Sequence, residues 1–328
     1  MKIFEIKRRN AMLQNMDYIY QVYKEGSFSR AAKNLYVSQS SLSQTIKHAE
    51  KRIGMDIFDR SSHPITLTEF GTLYIKAIEE IREIVNNLEN YVYDVDHLKN
   101  GHLSIGAGNF FAAYLVPPVI TRFKKAYPNI QINLMEGRTV DMIEDLNKGN
   151  IDLLITNGHL DTELYTKTTL FQEHMVLSVP KSFFPEPPYP ESLLTLQTLS
   201  SKQRFDAVSP VSLSVFSNIP FIVNRPGNDA RIRADQMFSA EQVKPKILLE
   251  PDQTSTAYAM SRNGMGATII DDALVRALGD YNSIWLYKLH STFTVRDVAV
   301  FTKKNRYTTR SMKEFIQLIQ MSKETLFI

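Results

Sequence analysis

The sequence contains no cysteine. This absence excludes disulfide bonds, thiolate metal sites and a cysteine nucleophile, and it is typical of proteins that work in a reducing compartment. No run of 18 or more apolar residues is present either, so the sequence predicts no transmembrane helix and no membrane partner. The first fifteen residues carry charges where a secretory signal peptide has its apolar centre. We therefore expect a cytoplasmic protein.

Motifs of the common enzyme classes are also missing. The sequence holds no G-x-S-x-G nucleophile elbow, no phosphate-binding P-loop and no H-E-x-x-H zinc motif. Gly106-Ala107-Gly108 is similar to the start of a dinucleotide-binding loop, but the third glycine is absent. The seven histidines show no metal-ligand spacing. These absences predict a protein that is not an enzyme and that uses neither a metal nor a cofactor.

What the sequence does contain is enough apolar surface for full cores and an uneven distribution of charge. The 328 residues are 43% hydrophobic, and this length suggests two or three domains. Residues 1–60 hold 11 Lys or Arg and 6 Asp or Glu, a net charge of +5, whereas the whole chain carries +3. A basic head on a near-neutral body attracts phosphate at one end of the molecule.

The stretch from Gly26 to Gly71 carries the strongest local pattern. It reads as two short helices joined by a turn at Tyr36-Val37 and followed by a β-hairpin, with a further helix from Met16 to Lys24 packing beneath. A serine hydroxyl precedes each short helix as a cap, Ser27 or Ser29 in the first and Ser38 in the second. The second helix has an apolar face at helical spacing, formed by Leu42, Ile46, Ala49 and Ile53.

The opposite face of the second helix is polar and mostly uncharged. It carries Gln39, Ser40, Ser43, Gln44 and Lys47, whose side chains can donate and accept hydrogen bonds. A recognition helix presents such a face to base edges and phosphates. Most surface helices have a polar face that is only solvated, so the helix spacing leaves both interpretations open.

The whole stretch resembles the amino-terminal region of the LysR-type transcriptional regulators. The matching elements are Gly26-Ser27-Phe28, Ala31-Ala32, Leu35, Ser38-Gln39, Leu42-Ser43, Ile46, Glu50, Ile53-Gly54, Ile57-Phe58, Arg60, Leu67-Thr68 and Gly71. Two positions depart from the family pattern. Ala49 stands where the family usually has leucine, and the hairpin tip, Ser61-Ser62-His63-Pro64, lacks the basic residue often found there.

The resemblance implies a winged helix-turn-helix domain at residues 14–68, with the helix-turn-helix motif at 27–46, that binds double-stranded promoter or operator DNA. The DNA-binding residues it implies are Ser27, Arg30, Ser38, Gln39, Ser40, Ser41, Ser43, Gln44, Lys47 and Arg60. It also implies a homodimer or homotetramer and RNA polymerase as a further candidate partner. Residues 1–13 precede the family's usual start. They are a basic arm that carries Lys7-Arg8-Arg9, a disordered tail, or the result of a misplaced start upstream of Met12 or Met16.

A long helix follows, capped by Thr68 and predicted to end near Leu98. Its apolar residues step by a mean of 3.5 residues, which is the coiled-coil period. The predicted dimerisation seam includes Leu73, Ile81, Ile84, Leu88, Tyr91 and Val95, and it begins at Phe70. The alternative is a helix buried on its own domain. The family resemblance assigns residues 69–100 to a linker and dimerisation helix.

The rest of the chain alternates predicted strands and helices, which indicates a mostly parallel α/β sheet. The resemblance implies an effector domain at 102–328, built from two α/β subdomains folded like periplasmic solute-binding proteins. We place subdomain I at 102–177 and 267–328, and subdomain II at 178–266. The predicted fold is therefore α plus α/β: a winged helix-turn-helix, a linker helix and a two-subdomain effector domain.

Three loops after predicted strands are candidates for a small-molecule site, because ligands in α/β folds bind beyond the carboxyl ends of strands. The candidate effector-binding residues are Gly108, Asn109, Phe110, Arg138, Thr139, Arg225 and Asn228. Arg138 and Arg225 suggest an anionic effector, and Phe110 an apolar wall. The alternatives are that these are turn and cap residues, or that the cleft is vestigial. A solute-binding transport protein would need export and no DNA-binding head.

Overall fold

The computed structural model describes residues 12–61, 64–95 and 101–322, and the chain forms two compact units, Met1–Glu89 and Asn90–Ile328. The first unit contains α1 (Met16–Glu25), α2 (Phe28–Asn34), α3 (Gln39–Ile53), the strands β1 (Phe58–Asp59) and β2 (Thr66–Leu67), and α4 (Glu69–Val95). The boundary between the units falls inside α4. Residues 1–11, the hairpin-tip residues 62–63 and the predicted helix end at 96–100 lie outside the described residues.

Hydroxyl caps begin three of these helices, as the sequence predicts. The Ser27 and Ser38 side chains accept hydrogen bonds from the backbone N–H groups of Arg30 and Ser41, at 3.4 and 3.1 Å. Thr68 Oγ1 accepts from the N–H of Gly71 at 2.9 Å. The caps satisfy backbone donors that the first turn of a helix leaves unpaired. The turn before α3 passes through Tyr36, which is 97% exposed and has a φ of 55°.

The core of the first unit lies between α1, α2, α3 and the first half of α4. The predicted apolar face of α3 is buried, and it packs with Ile19, Val22, Ala31, Ala32, Tyr74, Ile75 and Ile78. Small Ala31 and Ala32 allow α2 and α3 to approach closely. Phe70 also packs against this core, so it does not belong to an exposed seam as the sequence suggested. One face of the first half of α4 is thus buried on its own unit, as in the alternative interpretation, whereas Leu73 in the same half is exposed.

The second unit is an α/β domain with eight α-helices and nine strands among its described residues 101–322. The strands are β3 (Gly101–Ala107), β4 (Ile130–Glu136), β5 (Leu153–Thr156), β6 (Tyr165–Pro180), β7 (Pro220–Ile222), β8 (Lys246–Leu249), β9 (Thr268–Asp271), β10 (Ile284–Lys288) and β11 (Val295–Lys303). The helices are α5 (Val116–Ala126), α6 (Thr139–Lys148), α7 (Leu196–Leu199), α8 (Lys202–Ala207), α9 (Asp229–Ala240), α10 (Thr254–Arg262), α11 (Asp272–Leu278) and α12 (Arg310–Ser322).

The sheet is mixed, whereas the sequence analysis expected it to be mostly parallel. β3 pairs in parallel with β4 and β5, and β7 with β8, but β11 is antiparallel to β5 and β6. β6 joins the two subdomains. Its first part pairs with β11, from Tyr165–Lys303 to His174–Val295, and its second part pairs with β9 and β10 from Met175 onward. The antiparallel pairs arise because β6 and β11 cross between the subdomains in opposite directions.

The strand pairing moves the predicted subdomain boundary. The sequence predicts that the chain re-enters subdomain I at residue 267. In the structure β9 and β10 pair with the second part of β6, so they belong to subdomain II. The return therefore lies between Lys288 and Val295, and the first crossing lies at His174–Met175. A local sequence pattern cannot show which strand will be the neighbour of β9, and the sequence analysis did not identify β10, α7, α8 or α11 as elements.

Candidate functional site

The polar face of α3 lies at the surface of the first unit, as predicted. Gln39, Ser40, Ser41, Gln44 and Lys47 are exposed, and Ser43 is half-buried. The Oε1 atom of Gln39 accepts a hydrogen bond from the Ser29 hydroxyl at 3.2 Å, which ties the start of α3 to α2. Among the described residues the Gln39 amide nitrogen has no hydrogen-bond partner, so this side chain is oriented and still has a donor to offer. A glutamine amide reads an adenine edge with both its nitrogen and its oxygen, and Oε1 has a second lone pair besides the one that Ser29 engages.

Arg30 and Arg60 differ in their surroundings. The Arg30 side chain is 68% exposed and lies 4.0 Å from the carboxylate of Glu25. The Arg60 guanidinium donates to Glu50 Oε2 at 2.7 Å and lies 5.5 Å from the centre of the Phe28 ring. Arg60 is therefore held against buried Glu50 and Phe28 of the head, whereas the sequence analysis predicted it among the DNA-binding residues.

Glu50 is the buried partner that organises the hairpin. It is 4% exposed, and its Oε1 atom accepts from the backbone N–H groups of Ile57 and Phe58 at 2.9 and 3.2 Å. One carboxylate thus joins the last turns of α3 to strand β1 and, through Arg60, to the hairpin. A glutamate inside a helix that otherwise buries only apolar residues was the sequence signal for this contact.

The outer face of α4 is apolar and exposed in the single chain. Leu73, Ile84 and Leu88 are 64%, 60% and 62% exposed, whereas Ile81 is half-buried. Tyr74, Ile75 and Ile78 of the same helix are buried in the core of the first unit, so the exposed row lies on a different face of α4. The side chains of Tyr91 and Val95, the other predicted seam residues, lie outside the described part of the chain.

In the second unit, the first two candidate loops follow β3 and β4. Gly108, Asn109 and Phe110 are half-buried, and Phe110 packs against a core cluster of each subdomain. Thr139 begins α6, and its hydroxyl lies 3.1 Å from that of Thr156 at the end of β5. β4 and β5 flank β3 on its two sides and both run parallel to it, so their carboxyl ends bring two hydroxyl groups together at the same edge of the sheet.

The third loop faces the second across the subdomains. Arg138 donates to Asp141 at 2.8 and 3.0 Å, and this pairing raises the pKa of Arg138, with a smaller contribution from the charge of Asp252. Asp252 also lies 3.6 Å from the Arg225 guanidinium, whose Nε donates to the carbonyl of Glu250 at 3.2 Å. Both predicted anion-binding arginines therefore already have carboxylate partners, although they are 80% and 65% exposed.

Asn228 has the structural role that was the alternative for this loop. Its side-chain oxygen accepts from the N–H of Ala230 at 2.9 Å and caps α9, while its Nδ2 donates to the carbonyl of Asp252 at 3.2 Å. Buried Asn224 donates to the same carbonyl at 3.3 Å. These bonds fix the third loop to the segment that follows β8.

A buried ionic cluster occupies the point where β6 and β11 cross between the subdomains. Arg296, 4% exposed, donates to Glu173 and Asp271 at 2.5 Å each and to Asp229 at 2.6 Å. Asn157, just after β5, donates to Glu173 at 2.6 Å. Burial raises the pKa of Glu173 to about 7, despite the opposing charge of Arg296. The cluster was not predicted; charged residues inside predicted strands were its signal.

The described residues offer neither a metal site nor a membrane-spanning helix. No group of three or more His, Cys, Asp or Glu side chains there is arranged to hold a metal ion. No described helix is both long and apolar enough to cross a membrane.

A winged helix-turn-helix head with a polar, capped recognition helix, joined by a long helix to a two-subdomain α/β domain, defines a DNA-binding regulator with a ligand-binding domain. The chain matches the family described as "Bacterial regulatory helix-turn-helix protein, lysR family" over residues 13–72 and the "LysR substrate binding domain" over residues 96–323. It belongs to the LysR family of transcriptional regulators, which confirms the family and the fold class predicted from the sequence.

Similar proteins extend over nearly the whole chain. An "Uncharacterized HTH-type transcriptional regulator YcgK" from Bacillus subtilis is 28% identical over 312 residues, which is 95% of each chain. A "Probable RuBisCO transcriptional regulator" from Gracilaria tenuistipitata is 27% identical over 330 residues and 96% of each chain.

Two solved structures share the fold at lower identity. A full-length OxyR variant from Pseudomonas aeruginosa has a TM-score of 0.65 at 18% identity, covering 95% of this chain and 97% of its own. Full-length CbnR complexed with its target DNA has a TM-score of 0.60 at 18% identity, covering 94% of this chain and 99% of its own.

Proposed function

We propose that this regulator reads its operator with the polar face of α3, in which Gln39, Ser40, Ser43 and Gln44 contact base edges. The observation that carries the proposal is the capped helix start, where Ser38 fixes the backbone and Ser29 orients Gln39. Oriented donors and acceptors lose little conformational freedom on binding, so their contacts discriminate between bases. Lys47 and Arg30, both exposed, supply phosphate contacts that do not depend on sequence.

Arg60 is left out of the DNA contacts in this proposal. Its guanidinium is paired with buried Glu50, and breaking that pair would leave a buried carboxylate uncompensated. We assign Arg60 to holding the hairpin against α3. Ser27, Ser38 and Ser41 act mainly through the helix starts, where cap bonds engage their hydroxyl or N–H groups.

The oligomer is proposed to form through the outer face of α4. Leu73, Ile84 and Leu88 expose a row of large apolar side chains along one helix. A second copy of the helix would remove them from water, at roughly 25 cal/mol per Å² of apolar surface. Two copies then place two recognition helices on two half-sites.

The effector is proposed to bind between the two subdomains, at the three loops. The charge of Asp252 acts on Arg138 of the opposite subdomain, and Phe110 packs on both subdomain cores. An anionic effector would replace Asp141 or Asp252 on Arg138 and Arg225. Because both guanidinium groups are largely exposed, this exchange costs little desolvation. Closure around the effector would then be transmitted to the heads.

The protein therefore acts by binding and not by catalysis in this proposal. Because its partner is genomic DNA, we place it in the cytoplasm. A DNA-bound regulator with a vestigial cleft is the second candidate, since both arginines already have protein partners.

The DNA proposal is tested with the full chain on the operator defined by genome-wide mapping of binding sites. Gln39→Ala should weaken binding to the operator by roughly 1–3 kcal/mol and leave binding to scrambled DNA unchanged, because only a base contact is lost. Lys47→Ala should weaken binding to both DNAs, and the slope of log K against the logarithm of the salt concentration should become less steep by about one. Lys244→Ala, exposed in the second unit, is the matched control. Equal losses on both DNAs for Gln39→Ala would show that Gln39 does not read sequence.

The effector proposal is tested by a thermal-shift screen of small metabolites followed by calorimetry. A ligand of the native state must raise its apparent stability. Arg225→Gln should weaken the binding of an anionic ligand by about 1.5–3 kcal/mol, the range for a charge-assisted hydrogen bond. Its operator affinity without ligand should stay unchanged. A cleft that binds nothing in the screen favours the vestigial alternative, and unchanged affinity in Arg225→Gln refutes the anion site.

A further inference from the structure

A cavity lies beside the point where β6 crosses between the subdomains. Its volume is about 260 Å³. Its lining combines Gln172 and His174 of β6 with residues of subdomain II, namely Leu199, Ser200, Lys202, Phe205, Asp272 and Arg276. None of them belongs to the three loops of the effector cleft. We propose that this cavity is a second ligand site, and that it binds a small molecule carrying a carboxylate or phosphate group.

The charges around the cavity favour an anion. Asp272 is 3% exposed and already engaged, because its carboxylate accepts the N–H of His174 at 2.9 Å and lies 3.4 Å from Arg276. The His174 Nδ1 atom is 3.7 Å from the same carboxylate. Lys202, in contrast, is exposed, and no hydrogen bond or ion pair of its side chain is found among the described residues. Lys202 and Arg276 together exceed the single negative charge of Asp272.

Aromatic and aliphatic side chains form the other wall. The rings of His174 and Phe205 lie 4.3 Å apart, with an angle of 37° between their planes. The Lys288 ammonium covers Phe205 at 5.0 Å and donates to the carbonyls of Phe205 and Val208, so the short α8 is held in place. A volume of about 260 Å³ is smaller than the roughly 300–1,000 Å³ of drug-sized sites, so the ligand is a small metabolite.

The position of the cavity connects it to the crossing strands. Side chains of neighbouring strand residues point to opposite faces. Glu173 contacts Arg296 on one face of β6, while its neighbours Gln172 and His174 line the cavity on the other. Asp272, the first residue of α11, also lines the cavity and directly follows Asp271 of the ionic cluster. A ligand that contacts His174 and the α11 residue Arg276 would therefore stiffen the crossing strand against subdomain II. Such a ligand would change the free energy of subdomain closure without entering the cleft between the loops.

The test uses the full chain with two probes, sodium phosphate and sodium succinate, at constant ionic strength. Thermal shift and calorimetry should show saturable binding of at least one probe to the wild type. Lys202→Gln should weaken that binding at least tenfold by removing the uncompensated charge. Ser200→Tyr should abolish it by filling the exposed mouth of the cavity. Lys244→Gln removes the same charge at an exposed site elsewhere and should bind like the wild type.

Three results would overturn the proposal. One is no saturable binding of either probe to the wild type, and another is unchanged affinity in both Lys202→Gln and Ser200→Tyr. The third is loss of probe binding in Arg225→Gln alone, which would place the anion in the effector cleft. Because the readout is ligand binding and not DNA binding, a failure here leaves the proposed regulatory function untouched.

Discussion

The contact of Glu50 with the hairpin allows a sharp test of how the DNA-binding head is held together. In Glu50→Ala, the N–H groups of Ile57 and Phe58 lose their shared acceptor, and Arg60 loses its carboxylate. Each buried donor left without a partner costs roughly 1–3 kcal/mol, and the partly exposed ion pair adds up to about 1 kcal/mol. We expect the head to lose about 3–5 kcal/mol. That is a large part of the roughly 5–15 kcal/mol that stabilises a whole domain.

Glu50→Gln is the matched control, because the glutamine oxygen can keep both backbone hydrogen bonds while the charge is removed. Its loss should be smaller, about 1–2 kcal/mol. Hydrogen exchange of the peptide that contains residues 57–58 measures the local opening free energy. The only tryptophan, Trp285, lies in the second unit, so its fluorescence should show an unchanged unfolding midpoint in both variants. Equal loss of protection in Glu50→Ala and Glu50→Gln would refute the acceptor role.

The same contact separates the two roles considered for Arg60. If Arg60 serves the hairpin, Arg60→Gln should lower hairpin protection and leave the salt slope of DNA binding unchanged. If Arg60 contacts a phosphate, the slope should fall by about one, as expected for Lys47→Ala. A reduced slope with full hairpin protection would contradict our assignment and restore the prediction made from the sequence.

Three further predictions follow from buried and exposed positions. Leu88→Asp should convert the oligomer to monomers in sedimentation and reduce operator affinity, because it places a charge in the proposed apolar seam. A folded variant that stays fully oligomeric would show that this seam does not hold the oligomer together. Burial raises the pKa of Glu173 to about 7, whereas the same carboxyl in the unfolded chain releases its proton near pH 4.5. The free energy of unfolding should therefore decrease as the pH rises from about 4.5 to about 7. Glu173→Gln should flatten that pH dependence in calorimetry, and an unchanged profile would show that Glu173 does not cause it. Gly71→Ala should destabilise the head, because the added Cβ would lie 2.0 Å from the backbone oxygen of Ile57. If the hairpin of this variant is as well protected from hydrogen exchange as that of the wild type, the close approach is refuted.

Residue type and spacing were enough to predict the head. The helix caps at Ser27, Ser38 and Thr68 depend on contacts with residues only three positions away, so the local sequence is enough to predict them. The apolar spacing of α3 similarly fixes which of its faces is buried. Helices are local structures, and their hydrogen bonds join residues four apart, which is why these predictions are confirmed.

Contacts between distant residues were decided only by the tertiary structure. Arg296 meets Glu173 across 123 positions, and β9 pairs with β6 rather than with strands of subdomain I. The same holds for Arg60, Arg138 and Arg225, whose type suggested anion binding but whose neighbours are carboxylates of the chain itself. The sequence by itself determined the family, the head and the alternation of strands and helices. Which charges face a ligand, and where the chain returns between subdomains, depend on which distant side chains come within a few ångströms, and no local pattern encodes that distance.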